Sequence, residues 1–399
     1  MVSCEINLMT IKNAKKQSVI LSILFFIHGV AYASLVPWIP DLREKFALSN
    51  YMVGIMMSAI PAGSIIFGLL SKKLIKVTGL YFATNITFLS LIILISTIAF
   101  SSSWYEITLL LFMFGVFDSW GDTCINIQAL NIQKSYGQSL INRLHGAGSI
   151  GTIGGGLVAI TAIGLEFSIK EFSITLLIIN LVMITIYIFS FQANHMRSDI
   201  YFCGKIQKTT NPQEKKPYII ALIILVFTCG IEETASIWGA IYMKDNYNVS
   251  LVISGLPYLA CQIFMVIGRI FGDYFTNKFG KIIILKSGII TSAFGMLLVI
   301  NIHSSFFTIL GFSLIGLGIS VTFPLIISFI GQLPNINTTS GVTFATWVSR
   351  LGLLISPPLI GILADVTSLR IAFIAIFFSC ILIFSLISVL SEKSIRLDI

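Results

Sequence analysis

The chain has 399 residues, of which 56% are hydrophobic and only 11% are charged, and its formal net charge is +8. This composition lacks the polar surface of a soluble domain and predicts a protein whose solvent is a lipid bilayer. We expect no nucleic-acid partner, because the cations form no concentrated basic arm and are spread between apolar stretches.

Twelve apolar stretches of about 20 residues follow one another along the chain, each long enough to cross a hydrocarbon core of about 30 Å as a helix. Helices are expected because lipid cannot satisfy open backbone groups. The predicted fold class is an all-α integral membrane protein with twelve transmembrane helices in two six-helix, pseudo-symmetric halves. The stretches begin near Ser18, Tyr51, Leu80, Trp104, Gly146, Phe172, Tyr218, Leu251, Ile282, Phe306, Ser340 and Ile371.

The longest polar interruption lies at residues 192–217 and predicts a cytoplasmic linker between two halves, residues 1–191 and 218–399. A weak internal repeat supports this division. The basic, glycine-closed segment at 68–79 after the second stretch has a counterpart at 268–281 after the eighth. Duplicated six-helix bundles are typical of one large class of transporters.

The distribution of Lys and Arg predicts the orientation of the chain. Twenty of them fall on the side of the N-terminus and five on the other side, so both termini are expected in the cytoplasm of a cell, that is inner or plasma, membrane. The first stretch is too long for a signal-peptide core and has no clear cleavage site, so we expect it to be retained. The scattered cysteines predict neither disulfide nor metal site, and we expect no cofactor.

Four segments carry a resemblance to a known family. Residues 349–365 and the turn after the eighth stretch resemble the eleventh helix and the cytoplasmic loop motif of the major facilitator superfamily. Residues 115–128 and 145–151 are similar to its fucose-permease-like branch of sugar–proton symporters. The chain departs from the loop motif at Lys76 and Asn277, where the superfamily usually has aspartate. The loop-motif residues are Arg269, Gly272, Asp273, Lys278, Gly280 and Lys281.

The resemblance implies a secondary active transporter that works by rocking of two six-helix halves. It also implies a gating role for Arg269, Asp273 and Lys278 at the cytoplasmic end of the eighth helix. Arg269 and Asp273 are four residues apart, and we expect them to stabilise the outward-open state through contacts with neighbouring helices.

Acidic residues within the stretches are candidates for proton coupling, because ionisable groups inside a bilayer are costly. Asp118, Asp122 and Asn126 share one face of the fourth helix at a spacing of four. Two carboxylates at this spacing repel when both are ionised, which favours a bound proton, and Asp118 is the deeper one. Glu232 in the seventh helix is the third candidate. A polar stripe that bonds neighbouring helices is the alternative.

Polar and aromatic residues in the stretches are candidates for binding substrate. Aromatic rings can stack on a sugar, amides can bind hydroxyl groups, and a buried guanidinium needs a carboxylate, a carbonyl cluster or an anionic substrate. Packing and helix–helix bonding are the alternative for each. The candidates are His28, Tyr32, Trp120, Asn126, Gln128, Trp238, Gln262, Trp347 and Arg350. His145 is instead expected at a gate or at the membrane interface.

Residues 146–151 match GxGxxG, but no strand or soluble βαβ unit surrounds them, so we predict close helix packing through Gly151 and Gly155.

The chain lacks the motifs GxxxxGK[ST], HExxH and GxSxG, and we expect that it is not an enzyme. The predicted function is the movement of a small polar organic solute, such as a sugar, together with protons by alternating access, carried out by a monomer in a lipid bilayer. The alternatives are a proton-driven exporter of drugs or metabolites and a non-transporting membrane sensor, and the short loops disfavour the sensor.

Overall fold

The structure is a computed structural model that describes residues 11–136, 141–191, 212–333 and 338–397. Side chains are described for residues 13–133, 143–191, 216–272, 274–333 and 341–390. The side chain of Asp273 and residues 192–211 of the predicted linker therefore lie outside the described part of the chain. Within it, the secondary structure is helical throughout.

The α-helices of the first half, in chain order, are α1 (Ile11–Ala33), α2 (Ile39–Lys45), α3 (Asn50–Phe67), α4 (Ser71–Thr78), α5 (Leu80–Thr97), α6 (Trp104–Tyr136), α7 (Ile141–Gly164) and α8 (Ile169–Ser190). Those of the second half are α9 (Pro212–Tyr247), α10 (Leu251–Ser254), α11 (Leu256–Phe279), α12 (Lys281–Asn301), α13 (Ser305–Ile319), α14 (Thr322–Gln332), α15 (Thr338–Val366), α16 (Leu369–Ala372) and α17 (Ile374–Leu397).

Twelve helical segments among the described residues are long and apolar enough to cross a membrane, which confirms the predicted number of spans. The largest difference at a starting position is at the first, which begins at Asn13 rather than Ser18. Large apolar side chains such as Phe189, 86% exposed, lie on the surfaces of these helices. Lipid tails solvate such surfaces, so the chain is a multi-pass membrane protein.

The described helices form two compact units. One contains residues 11–35 and 62–191, and the other contains residues 36–61 and 212–397. Residues 36–61 thus belong by sequence to the first half but pack with helices of the second. Helix α9 begins at Pro212, inside the segment expected to be the linker. The division of the chain at residues 192–217 stays a prediction.

Within the first unit, α1 and α7 pack so closely that only glycine fits at the contact. A Cβ atom on Gly151 would lie 2.2 Å from the carbonyl oxygen of Phe26, and one on Gly155 would lie 2.8 Å from that of Val30. This geometry confirms that the glycine-rich segment of α7 allows close packing against α1, which is the usual role of small residues at membrane helix interfaces.

The second unit repeats this pairing at the corresponding spans. Helices α9 and α15 pack together as α1 and α7 do. A Cβ atom on Gly352 of α15 would lie 2.0 Å from the carbonyl oxygen of Val226 on α9. A glycine of one helix therefore contacts a backbone oxygen of the other in both pairs, between the first and fifth spans and between the seventh and eleventh. This correspondence is consistent with pseudo-symmetric halves.

The α1–α7 contact generates a stability prediction. Gly151→Ala should destabilise the first unit by about 1–3 kcal/mol, because the added methyl group overlaps a backbone carbonyl that cannot move alone. Gly146→Ala is the matched control, since a Cβ atom there meets nothing within 4 Å. The midpoint of thermal unfolding in detergent should fall for Gly151→Ala alone. Equal midpoints for the two variants would contradict the packing argument.

Candidate functional site

The first unit brings a histidine and a carboxylate together in the middle of its helices. The Nε2 atom of His28 on α1 lies 2.9 Å from Oδ1 of Asp118 on α6. Each of the two side chains is 27% exposed, but the Nε2 atom of His28 itself is buried. The ring of Phe88 on α5 lies 6.3 Å from that of His28 and supplies an apolar wall.

The polar face of α6 continues from Asp118 toward the end of the helix. The Nδ2 atom of Asn126 donates to Oδ1 of Asp122 at 2.8 Å and to the backbone oxygen of the same residue at 2.8 Å. The Oδ1 atom of Asn126 lies 3.2 Å from Nε2 of His145 on α7. Because both Nδ2 contacts are donations to oxygen, Oδ1 is the acceptor for His145, and Nε2 carries the hydrogen.

The first unit therefore contains a polar row in which Asp118 and Asp122 stand one helical turn apart, with His28 at one end and His145 at the other. His145 is exposed, whereas the rest of the row is half-buried. Two neighbouring carboxylates and two imidazoles in a poorly solvated setting can hold a proton and exchange it with water. The predicted stripe on one face of the fourth helix is present.

Gln128 requires a correction. It is 0% exposed, its Nε2 atom donates to Oγ1 of Thr84 at 2.6 Å, and its Oε1 atom accepts from the hydroxyl of Tyr187 at 2.8 Å. Gln128 is two residues beyond Asn126, so it points about 200° away from the polar row. It bonds α6 to α5 and α8, and its full burial leaves no side-chain atom exposed to a substrate.

One of the three predicted tryptophans also requires a correction. Trp238 is 0% exposed, so its ring cannot stack on a sugar, and its assignment as a substrate ligand is corrected to core packing. Trp120 donates from Nε1 to the backbone oxygen of Phe67 at 2.8 Å, which bonds α6 to the end of α3. Trp347 is half-buried, with its ring stacked 6.0 Å from that of Phe344.

The second unit has polar groups of its own on α9 and α11. Glu232 is half-buried. Tyr258 is 1% exposed, and its hydroxyl has no hydrogen-bond partner among the described residues. Gln262 follows Cys261 and is half-buried.

Tyr32 on α1 and Arg350 on α15 are both half-buried, which is compatible with the predicted contact to a solute. Arg269 is exposed, and its Nε atom lies 3.4 Å from the backbone oxygen of Ser320, at the end of α13. The Nζ atom of Lys278 lies 5.3 Å from the ring centre of Phe279. The gating role of Arg269, Asp273 and Lys278 stays a prediction.

A second set of charged contacts, which sequence reasoning missed, holds residues 36–61 against the other helices of the second unit. Asp365 of α15 accepts from the backbone nitrogen of Asn50 at 2.9 Å and from that of Tyr51 at 2.8 Å. A carboxylate at a helix N-terminus satisfies open N–H groups and complements the helix dipole. A Cβ atom on Gly361 would lie 2.5 Å from the Asn50 oxygen, so the helices meet closely.

Two ion pairs accompany this cap. Arg43 contacts Asp245 at 2.6 Å, and Lys244 contacts Glu44. All of these contacts lie where an odd-numbered span ends, so they are on the side of the membrane opposite to the start of the first span. We refer to the Asp365 cap and the two ion pairs as the far-side clasp. Its members are distant in sequence, which explains why no local pattern revealed them.

Comparison with known proteins adds independent findings. The sequence model of the Major Facilitator Superfamily matches residues 21–349. An uncharacterized MFS-type transporter of Yersinia pestis is 26% identical over 386 residues, which cover 93% of this chain and 95% of that protein. The membrane protein MosC of Rhizobium meliloti is 25% identical over 349 residues, covering 86% of this chain and 83% of that protein.

Solved structures are similar in fold. The nucleoside transporter NupG has a TM-score of 0.76 at 11% identity, with 94% of this chain and 99% of that chain covered. A bacterial homologue of the human lysosomal transporter Spinster has a TM-score of 0.75 at 10% identity, with coverage of 94% and 96%. The human organic anion transporter MFSD10 scores 0.66 at 13% identity, with coverage of 94% and 99%. These likenesses confirm the predicted fold class.

The far-side clasp generates a second prediction, for which Ser58 is the reporter. Ser58 is 6% exposed and donates to the backbone oxygen of Leu354 at 2.9 Å, so a cysteine there should react slowly with a thiol reagent. Adding Asp365→Ala to Ser58→Cys should raise its labelling rate several-fold, because α3 loses its N-terminal cap. Glu44→Gln is the matched control and should leave the labelling rate unchanged, because its exposed ion pair with Lys244 contributes little to stability. Unchanged labelling with Asp365→Ala would show that the cap does not hold this contact.

Proposed function

Because the chain belongs to the major facilitator superfamily, a family of transporters and not of enzymes, we propose that it moves a small polar organic solute together with protons by alternating access. A sugar is the expected class of solute. We further propose that the chain resides in the cell membrane as a monomer, with both termini and the linker at residues 192–217 in the cytoplasm and the halves divided there.

The observation that supports proton coupling is the 2.9 Å contact between His28 and Asp118, with Asp122 one turn away. An ionised pair of this kind attracts strongly where water is scarce. A proton on Asp118 removes the negative partner and weakens the attraction, so proton binding is tied to the packing of α1 against α6. Alternating access would then let the proton equilibrate with each side in turn.

The meeting of two sequence segments supports the sugar–proton branch. The segment 115–128 and the segment 145–151 carry the resemblance to fucose-permease-like symporters, and in the first unit Asn126 and His145 join them at 3.2 Å. The solute candidates that keep partial exposure are His28, Tyr32, Trp120, Asn126, Gln262, Trp347 and Arg350. The solutes named for the similar structures, nucleosides and organic anions, are also polar organic molecules.

A substitution at Asp118 tests the proposal. Asp118→Asn imitates a permanently protonated carboxyl group, so it should abolish accumulation driven by a pH gradient and retain solute exchange without a gradient. Both activities are measured in proteoliposomes with a panel of radiolabelled sugars, nucleosides and organic anions. Glu166→Gln, which removes an exposed carboxylate between α7 and α8, is the matched control and should keep both activities.

Each alternative predicts a different result. A purely structural Asp118 would lose both activities together. Full accumulation by Asp118→Asn would assign the proton to another group, with Asp122 and Glu232 as the next candidates. Solute extrusion against its gradient on acidifying the receiving side would instead identify a proton-driven exporter.

A further inference from the structure

A groove on the second unit, separate from the polar row, lies between α11 and α12. It has a volume of about 510 Å³, within the range of about 300–1,000 Å³ that is typical of ligand pockets. It occupies the halves of both helices nearest their connecting turn at Gly280. That turn follows the eighth span, so it is on the same side of the membrane as the termini. The lining includes Ile267, Phe271, Phe275, Phe279, Ile283 and Leu317.

The groove lies beside the break between α13 and α14. Helix α13 packs against both α11 and α12 and ends at Ile319, and the chain then leads into α14, which packs against α9 and α15 and also contacts α12. Above the break the helices are close: a Cβ atom on Gly288 would lie 2.4 Å from the Gly318 oxygen. At the break, Ser320 and Val321 contact α11 near Gly268 and Gly272 and also line the groove.

The hydroxyl groups that line the groove already donate hydrogen bonds within their own helix, so an apolar ligand would leave none of them without an acceptor. These hydroxyl groups donate to carbonyl oxygens of the preceding turn, Ser287 to Ile284 at 3.1 Å and Thr291 to Ser287 at 2.9 Å. Phe271 and Ile283 are 53% and 59% exposed. From residue 267 to residue 279 a helix rises about 18 Å, close to half of a hydrocarbon core of about 30 Å. These dimensions suit one acyl chain of one leaflet.

Two cations stand at the end of the groove where a lipid headgroup would lie. Lys278 and Lys281 flank the turn at Gly280, and both are exposed. The Nζ atom of Lys278 rests 5.3 Å above the ring of Phe279, which lines the groove, and that of Lys281 donates to Oε1 of Gln332 at 3.1 Å. Among the described side chains, neither lysine has a carboxylate within ion-pair distance.

We propose that this groove is a binding site for an anionic glycerophospholipid, with one acyl chain between α11 and α12 and the phosphate on Lys278 and Lys281. The charge of the headgroup complements the two lysines, and basic residues near the membrane surface attract anionic lipids. A peptide is the weaker fit, because its backbone would leave open polar groups against an apolar lining.

The test measures lipid binding to the full-length protein rather than transport, so its outcome is independent of the proposed function. Phosphatidylglycerol is titrated into delipidated protein in detergent, and bound lipid is counted by native mass spectrometry. The parent protein should bind phosphatidylglycerol in preference to phosphatidylcholine. Removing both charges with Lys278→Gln and Lys281→Gln should weaken phosphatidylglycerol binding by about 30-fold. Ser287→Phe, which fills the groove, should abolish it.

Two matched controls should leave binding unchanged. Lys72→Gln with Lys73→Gln removes two cations from the corresponding basic turn of the first unit. Ser385→Phe adds the same bulk at another exposed helical serine, whose hydroxyl also bonds only its own helix among the described contacts. Equal binding of the two lipids, equal loss in the controls, or competition by soluble glycerol 3-phosphate would overturn the proposal.

A measurement on the parent protein alone covers the case in which a variant fails to fold. Phosphatidylglycerol with a photoreactive acyl chain is bound, illuminated and traced by peptide mapping. Crosslinks should concentrate in residues 267–291 and be displaced by unmodified phosphatidylglycerol but not by phosphatidylcholine. Crosslinks spread evenly over the exposed helical surface would show general solvation by lipid and refute a specific site.

Discussion

The absence of water from the hydrocarbon core is the constraint on which the rest of this structure depends. It requires every span to be a helix, because only the helix satisfies its own backbone within one segment. It also removes the hydrophobic drive between helices, so contact must come from close packing and polar bonds. The close packing is seen where Gly151 contacts Phe26 and where Gly352 contacts Val226. The polar bonds are seen at Gln128, which is hydrogen-bonded to Thr84 and Tyr187.

The same constraint separates structural polar groups from functional ones. Gln128 is wholly buried with both ends of its amide bonded, which is the lowest-energy arrangement for such a group. Asp118 and His28 instead remain 27% exposed, with two ionisable groups 2.9 Å apart. An ionisable residue inside a membrane protein costs free energy, so its presence indicates a function. Moving a charge across the membrane is one function that requires such a residue.

Much of the fold could be predicted from the sequence, because span length and hydropathy follow directly from the thickness of the bilayer. The spacing of Asp118, Asp122 and Asn126 likewise indicated one helical face. The partner His28 could not be predicted, since helical period relates only neighbours within one helix. Gln128 was misassigned although its angular offset from Asn126 already pointed it to another face.

The far-side clasp shows why contacts between distant segments need coordinates. Asp365 follows a long apolar stretch in sequence, where it is typical of an interface residue. Its carboxylate instead receives two backbone N–H groups from the start of α3. The first N–H groups of a helix need hydrogen-bond acceptors, but the local sequence does not indicate which residue will supply them. Tertiary structure alone determines that partner.

Packing and chemistry meet on α1. His28, which contacts Asp118, is followed by Gly29, where a Cβ atom would lie 2.1 Å from the oxygen of Gly148 on α7. The glycine contact holds α1 at a fixed distance from α7, and α7 also carries His145. The spacing of the two histidines along the polar row is therefore set by apolar helix packing. Movement of α1 against α7 would alter the electrostatics of Asp118 without any change in the charged residues themselves.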